Sequence, residues 1–184
     1  MTLADLSIDS CWTLFLDRDG VINAHTEGVY VTSLLDFKLL PGVTEAIAQL
    51  SHQFGRIIVV TNQQAIGKGL LAEEELLLMH ELLQMEVRSL GGKVDLIIYA
   101  AELQSAGNDR RKPGVGMGLE AQQRFPEINF AKSIMVGDSP SDMLFGKRLG
   151  MKTVFVQNPW KTSNDADFQV ESLVDFHRQL TSAV

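Results

Sequence analysis

The chain has 184 residues, of which 45% are hydrophobic and 21% are charged, and its formal net charge is −7. This composition is that of an ordinary globular protein and argues against an intrinsically disordered or collagen-like chain. The length predicts a single domain over 1–184. The acidic total argues against binding to nucleic acid, because phosphate backbones are bound by basic surfaces.

No apolar run reaches the roughly 18 residues that a membrane-spanning helix needs. The first ten residues, MTLADLSIDS, contain two aspartates and no basic residue, unlike a secretory signal. We therefore expect a cytoplasmic protein without membrane contact. Cys11 is the only cysteine, so an intramolecular disulfide is excluded, and we expect Cys11 to begin a buried strand as a small packing residue.

Five short apolar segments, rich in β-branched and aromatic residues, predict strands buried on both faces. In chain order they are 11–16, 57–60, 96–99, 133–136 and 153–156. Segments with helical spacing of apolar residues lie between them, and 168–170 and 172–181 predict a short edge strand and a C-terminal helix. This alternation predicts an α/β fold with a mostly parallel central sheet and helices on both faces.

Polar residues follow the predicted strands at the edge where ligands of such sheets bind. Asp17 and Asp19 follow the first strand, Thr61 the second and Asp138 the fourth, and the loop after the third strand reaches Lys112. Clustered carboxylates predict a hard divalent cation, of which Mg²⁺ is the natural candidate. Lys112 and Thr61 would hold the oxygens of a phosphoryl group, so the pattern favours phosphoryl transfer.

The spacing of Asp17 and Asp19 adds a chemical point. Alternate residues of a strand face the same side, so we expect both carboxylates to address one phosphate while Arg18 points elsewhere. One carboxylate could attack phosphorus and form an aspartyl-phosphate. The other could donate a proton to the leaving oxygen and later activate water.

Four segments, LFLDRDGVIN, VVTNQQAIGKG, RRKPGVGM and MVGDSPSDM, resemble in order and spacing the four motifs of the haloacid dehalogenase-like hydrolase superfamily. The resemblance implies a Rossmann-like three-layer sandwich, dependence on Mg²⁺ and an aspartyl-phosphate intermediate. It implies that Asp17 is the nucleophile, Asp19 the general acid and base, Thr61 and Lys112 the phosphate stabilisers, and Asp138 a metal ligand. The backbone carbonyl of Asp19 would also bind the metal, and an aspartate at position 19 favours a phosphatase over a dehalogenase.

The DRDG, TNQ and RKP segments look most like the histidinol-phosphate and heptose-bisphosphate phosphatase branch, which implies a small phosphorylated sugar as substrate. By this resemblance six residues would bind the substrate, namely His25, Gly28, Asn62, Gln63, Gln64 and Arg111. Arg111 would grip a distal group such as a second phosphate, for which a planar guanidinium is suited. That branch often carries a zinc loop before the third motif, but here 100–110 contain neither cysteine nor histidine, so no zinc is expected.

Several alternatives remain open. Asp142 follows Ser139-Pro140-Ser141, so it could be a helix-capping residue or could support the metal. The motif spacing leaves no room for a separate cap domain, and loops such as 23–37 would shield the site from water. A histidinol-phosphate phosphatase, a polynucleotide 3′-phosphatase and a phosphorylatable, receiver-like binding module are the rival functions. We expect a monomer or a small homo-oligomer.

Overall fold

The computed structural model describes residues 2–181, and within them six strands form one sheet in which every neighbouring pair is parallel. The sheet order is β3-β2-β1-β4-β5-β6. The strands are β1 (Thr13–Leu16), β2 (Arg56–Asn62), β3 (Leu96–Ala100), β4 (Ser133–Gly137), β5 (Lys152–Val156) and β6 (Phe168–Val170). The predicted edge strand is confirmed as β6.

Helices cover both faces of the sheet, which confirms the α/β three-layer sandwich. They are α1 (Val43–Gln53), α2 (Gln64–Gly67), α3 (Glu73–Ser89), α4 (Gly116–Arg124), α5 (Pro140–Leu149) and α6 (Leu173–Thr181). Successive residues of β1 belong to different cores, because strand side chains alternate between faces. Leu14 and Leu16 pack with α1, α3 and α6, whereas Phe15 packs with α4 and α5.

Cys11 corrects one prediction, since its side chain is exposed and β1 begins only at Thr13. The backbone N–H groups of Cys11 and Trp12 donate hydrogen bonds to the side chain and the carbonyl of Asp9. These bonds close a turn ahead of the strand. The apolar character of 11–16 therefore predicted burial correctly within the strand but wrongly at Cys11.

β3 corrects a second prediction, because it is not buried on both faces. Among the described residues it pairs with β2 alone and forms an edge of the sheet. Leu96, Ile97 and Tyr99 are partly exposed as a result, and only Ile98 and Ala100 are buried.

Within residues 2–181, no helix combines the length and the apolar character required to cross a membrane. The loops that follow the parallel strands meet at one edge of the sheet, as parallel topology requires. The connection between β1 and α1 is held beside this edge by isolated bridges that join Asn23 to Asp19 and to Leu39. This edge carries the candidate site.

Candidate active site

A buried centre of three carboxylates and one lysine lies at the carboxyl edge of the sheet. Asp17 follows β1, Asp138 follows β4 and Asp142 lies in the first turn of α5, and one carboxylate oxygen from each lies within 4.8 Å of the others. Lys112 Nζ lies 2.7 Å from Asp17 Oδ1, 2.7 Å from Asp142 Oδ1 and 2.7 Å from the carbonyl oxygen of Val60. The lysine therefore bridges two of the acids.

Among residues 2–181, Lys112 and Lys161 offset only part of the charge of the three carboxylates. Burial, and then the neighbouring Asp142 carboxylate, raise the pKa of Asp17 to about 8 although Lys112 opposes the shift. Burial and Asp142 also raise the pKa of Asp138 to about 6. Three buried acids facing one lysine favour a further cation, and carboxylate oxygens are ligands of a hard divalent ion. The residues present therefore fit Mg²⁺.

Asp142 caps a helix and also contacts Lys112, while its support of a metal stays a prediction. Its Oδ2 accepts hydrogen bonds from the backbone N–H of Ser139 at 3.0 Å and from the Ser139 hydroxyl at 2.6 Å, which forms the capping box of α5. Its Oδ1 faces Lys112. One oxygen therefore caps the helix while the other belongs to the charged centre.

Asp19 departs from the prediction, because its carboxylate is not a member of the three-acid group and Arg18 does not point away from it. Arg18 is fully buried, and its Nε and Nη2 lie 3.2 and 2.8 Å from Asp19 Oδ1. β1 ends at Leu16 and Gly20 already has a positive φ of 87°, so strand alternation no longer holds at these positions. The backbone carbonyl of Asp19 as a metal ligand stays a prediction.

The pKa of Asp19 shows the effect of this pairing. Burial alone would raise it, but Arg18 and hydrogen bonds from Asn23 and Gln63 outweigh burial and hold the pKa below its usual range.

Gly20, the next residue, packs closely against the centre, since a side chain there would clash with the carboxylate of Asp138.

The second motif positions its neighbours through hydrogen bonds. Thr61 is buried, and its Oγ1 accepts a hydrogen bond from Gln63 Nε2 at 2.8 Å. The amide of Asn62 donates to the carbonyl of Lys112 at 3.1 Å and accepts from its N–H at 3.0 Å. Asn62 and Gln63 therefore fix Lys112 and Thr61 as well as lining the cavity described next.

A cavity of about 580 Å³ opens over the centre. It is lined by all the residues predicted for catalysis, substrate and metal: Asp17, Asp19, His25, Gly28, Thr61, Asn62, Gln63, Gln64, Arg111, Lys112, Asp138 and Asp142. Arg111 is half-buried, and within residues 2–181 its Nη1 has no hydrogen-bond partner. Burial lowers the pKa of this guanidinium. The sequence therefore identified the residues of one continuous cavity.

Sequence reasoning missed several other residues of the cavity wall, among them Tyr30, Gln104, Ser141 and Lys161. Lys161 and Asn158 lie in the loop after β5, so the strand-end rule could have found them. Asn158 Nδ2 donates to the Asp138 carbonyl oxygen at 2.6 Å and lies 3.2 Å from Asp138 Oδ2. Tyr30 lies in the 23–37 loop that was expected to shield the site, and Gln104 begins a short 3-10 helix, but no pattern marks either residue.

Comparisons with known proteins agree on one family. A family model described as polynucleotide kinase 3 phosphatase matches residues 14–176. A D-glycero-alpha-D-manno-heptose-1,7-bisphosphate 7-phosphatase of Mycobacterium bovis is 40% identical over 132 residues, which are 72% of this chain and 70% of that one. A D-glycero-beta-D-manno-heptose-1,7-bisphosphate 7-phosphatase of Pseudomonas putida is 37% identical over 144 residues, 78% of this chain and 81% of that one.

A solved structure is similar over nearly the whole chain. The crystal structure of D,D-heptose 1,7-bisphosphate phosphatase from B. bronchiseptica, complexed with magnesium and phosphate, superposes with a TM-score of 0.82 at 27% identity. The match covers 92% of this chain and 97% of that one.

The fold and the charged centre together define a haloacid dehalogenase-like phosphatase, which is a phosphoric monoester hydrolase. The chain belongs to the polynucleotide kinase 3 phosphatase family, in the branch of the heptose-bisphosphate phosphatases. An enzyme is therefore favoured over the receiver-like binding module.

Proposed function

We propose that this protein is a Mg²⁺-dependent phosphatase that removes the 7-phosphate of D-glycero-D-manno-heptose 1,7-bisphosphate. The observation that carries the proposal is the buried group of Asp17, Asp138, Asp142 and Lys112 at the base of a cavity of about 580 Å³. A cavity of this size is typical of small-molecule sites. The substrates in the names of its relatives supply the identity of the sugar.

In the first step, a carboxylate oxygen of Asp17 attacks phosphorus and the bond from phosphorus to the sugar oxygen breaks. Lys112 donates a hydrogen bond to Asp17 Oδ1, so Oδ2 is the oxygen that attacks. The pKa of Asp19 is low in the free protein, but the negative charge of the bound phosphoryl group raises it, so Asp19 holds a proton in the substrate complex. Asp19 donates this proton to the leaving sugar oxygen, which departs as an alcohol and leaves an aspartyl-phosphate.

In the second step, Asp19 accepts a proton from a water molecule that attacks the phosphorus of the aspartyl-phosphate. The bond between phosphorus and the Asp17 oxygen breaks, inorganic phosphate is released, and Asp19 regains the proton that it gave away. In both steps the hydroxyl of Thr61 donates a hydrogen bond to a phosphoryl oxygen. The positive charge of Lys112, whose three N–H groups hold Asp17, Asp142 and the carbonyl of Val60, offsets the charge of the phosphoryl group.

The metal would be held by Asp17, Asp138 and Asp142, with the backbone carbonyl of Asp19 as a further ligand. Bound Mg²⁺ supplies positive charge that offsets the charge of the phosphoryl oxygens. Asn158 supports this arrangement because its amide holds both the carbonyl and the carboxylate of Asp138. Two of the three acids have a raised pKa, which a cation among them would lower.

The distal end of the substrate would be bound by Arg111. Its half-buried guanidinium lines the same cavity as Asp17 and has an Nη1 without a hydrogen-bond partner in residues 2–181. Such a group can donate to the 1-phosphate with two parallel hydrogen bonds. His25, Gly28 and Gln64 would contact the sugar between the two phosphates.

A panel of phosphate esters tests the proposal. It contains both anomers of the heptose bisphosphate, heptose 7-phosphate, histidinol phosphate and an oligonucleotide with a 3′-phosphate, each with Mg²⁺ and with EDTA. We expect the highest kcat/KM for one heptose bisphosphate anomer, one phosphate released per sugar, and no release in EDTA. The description of the family model favours the oligonucleotide as the second candidate, and a preference for it would overturn the heptose assignment.

The variant Arg111→Gln sharpens this test. It should raise KM for the bisphosphate by about tenfold or more, because a charge-assisted hydrogen bond contributes about 1.5–3 kcal/mol. KM for heptose 7-phosphate, which lacks the distal phosphate, should change little. An equal rise for both substrates would contradict the role of Arg111.

A further inference from the structure

Arg18 is a buried cation at the edge of the active site that the proposed reaction does not use. Its side chain is fully buried and lies over the ring of Phe37, 5.3 Å from the ring centroid. Its Nε and Nη2 both point to Asp19 Oδ1, at 3.2 and 2.8 Å. The guanidinium is therefore held on one face by an aromatic ring and directed at a single carboxylate oxygen.

His80 holds the other end of this guanidinium. It lies in α3, is almost completely buried, and its Nε2 is 3.4 Å from Arg18 Nη1. A guanidinium can only donate hydrogen bonds, so His80 Nε2 must accept and the ring hydrogen lies on Nδ1. Burial and the charge of Arg18 lower the pKa of His80 to about 3, so the ring is neutral at physiological pH.

The two oxygens of Asp19 are held unequally. Oδ1 accepts hydrogen bonds from the guanidinium of Arg18 and from the amide of Asn23, the latter at 2.9 Å. Within residues 2–181, Oδ2 accepts a hydrogen bond from Gln63 Nε2 alone, at 2.8 Å, and that amide nitrogen also donates to Thr61 Oγ1. Oδ1 therefore fixes the direction of the carboxyl group, and Oδ2 is left as the oxygen that can exchange a proton.

We propose that Arg18, held in place by His80, is the positioning residue that directs Oδ2 of Asp19 towards the leaving oxygen of the substrate. This inference rests on the proposed function, in which Asp19 protonates that oxygen. If Arg18 only balanced the charge of Asp19, its Nη1 would need no hydrogen-bond partner. The contact between His80 and Arg18 instead fixes the rotation of the guanidinium, and with it the plane of the carboxylate.

The test compares two leaving groups. An alkyl phosphate such as the sugar ester needs a proton on the departing oxygen, whereas p-nitrophenolate departs without one. His80→Leu removes the acceptor for Arg18 but leaves Asp19 untouched, and His80→Gln returns an acceptor through its amide oxygen. His52→Leu, at an exposed histidine of α1, is the matched control.

We expect His80→Leu to lower the ratio of kcat for the alkyl ester to kcat for p-nitrophenyl phosphate by about tenfold, part of the 10²–10⁴ that general acids contribute. His80→Gln should restore most of the ratio and His52→Leu should leave it unchanged. Arg18→Lys keeps the positive charge but loses the planar guanidinium that donates from two nitrogens, and it should lower the ratio as well. A ratio that stays constant in His80→Leu would overturn the inference, because a merely structural role affects both substrates equally.

A wild-type protein that releases phosphate from neither ester would overturn the proposed function instead. The contact itself is then read by nitrogen NMR of the His80 ring. A neutral Nδ1–H tautomer that changes in Arg18→Lys supports the positioning of Arg18 by His80. A protonated ring, or a hydrogen on Nε2, contradicts it.

Discussion

Lys112 Nζ lies 2.7 Å from Asp17 Oδ1, although 95 positions separate the two residues in the sequence. The lysine is 3% exposed, and its Nζ also contacts Asp142 Oδ1 and the carbonyl of Val60. Burial would lower its pKa, but the two carboxylates raise it more, so the lysine stays charged. This cation balances only part of the charge of the three acids.

Asp17→Asn should reduce phosphate release by more than about 10³-fold, because an amide cannot form an aspartyl-phosphate and the loss of a nucleophile is among the largest effects on kcat. The fold should persist, since the asparagine oxygen can still accept the hydrogen bond of Lys112. Initial rates and circular dichroism melting curves check both expectations. The exposed Asp165 offers Asp165→Asn as a control with full activity, and an Asp17→Asn protein with wild-type turnover would exclude Asp17 as nucleophile.

Mg²⁺ should raise the melting temperature of the wild-type protein, and EDTA should reverse the rise. The gain follows mass action and reaches about 2.7 kcal/mol when the free ion is 100 times its Kd. Asp138→Asn should shift the midpoint of this titration to higher Mg²⁺, because it removes one of the three clustered carboxylates. Asp165→Asn should titrate like the wild type. If Asp138→Asn showed the same Mg²⁺ midpoint as the wild type, the metal would not lie at the three carboxylates.

Asp142→Asn and Asp142→Ala separate the two roles of this residue. The asparagine can still accept the hydrogen bonds of Ser139 but carries no charge for Lys112, whereas the alanine does neither. Urea unfolding should find the alanine variant less stable than the asparagine variant by about 1 kcal/mol, the usual contribution of a helix cap. Phosphatase activity should fall in both. Equal stability of the two variants would mean that the cap contributes nothing.

His80 should make the protein sensitive to mild acid. Its pKa is about 3 in the folded protein against an ordinary 6.5. Between these two pH values, His80 is protonated in the unfolded chain and neutral in the folded protein. Its contribution to stability is complete above pH 6.5 and is lost as the pH falls towards 3. Between about pH 7.5 and pH 5, wild type should lose about 2 kcal/mol more than His80→Gln.

Urea unfolding at the two pH values measures this difference. His52→Gln, at an exposed histidine, should keep the pH dependence of the wild type. Parallel pH dependence in wild type and His80→Gln would show that His80 takes up its proton in the folded state.

The strand-end rule predicted much of the site, because the topology of a parallel sheet places its loops together whatever their sequence. It brought Asp17, Thr61, Lys112 and Asp138 to one edge, and the resemblance to a known family gave each of them a role. The rule could not predict the direction of side chains once a strand has ended. Asp19 therefore turned out to face Arg18, a residue that local spacing had directed elsewhere.

Burial was the harder quantity to predict from sequence, since it depends on partners distant in the chain. Cys11 lies in a turn that hydrogen bonds to Asp9 close. Tyr99 is partly exposed because β3 has one neighbouring strand within residues 2–181. No sequence pattern marks His80 as buried. Its burial against Arg18 arises only when α3 packs on the sheet.

The most direct test of the account is to identify the residue that carries the phosphoryl group. In Asp19→Asn the enzyme can accept phosphate from p-nitrophenyl phosphate but cannot activate water, so the intermediate should accumulate. Borohydride reduces an acyl phosphate to an alcohol, and mass spectrometry of the peptides then locates the mark. We predict one mark per chain on Asp17 and none after Asp17→Asn is added; a mark on Asp138 or Asp142, or a burst of p-nitrophenol with no mark, would contradict the mechanism.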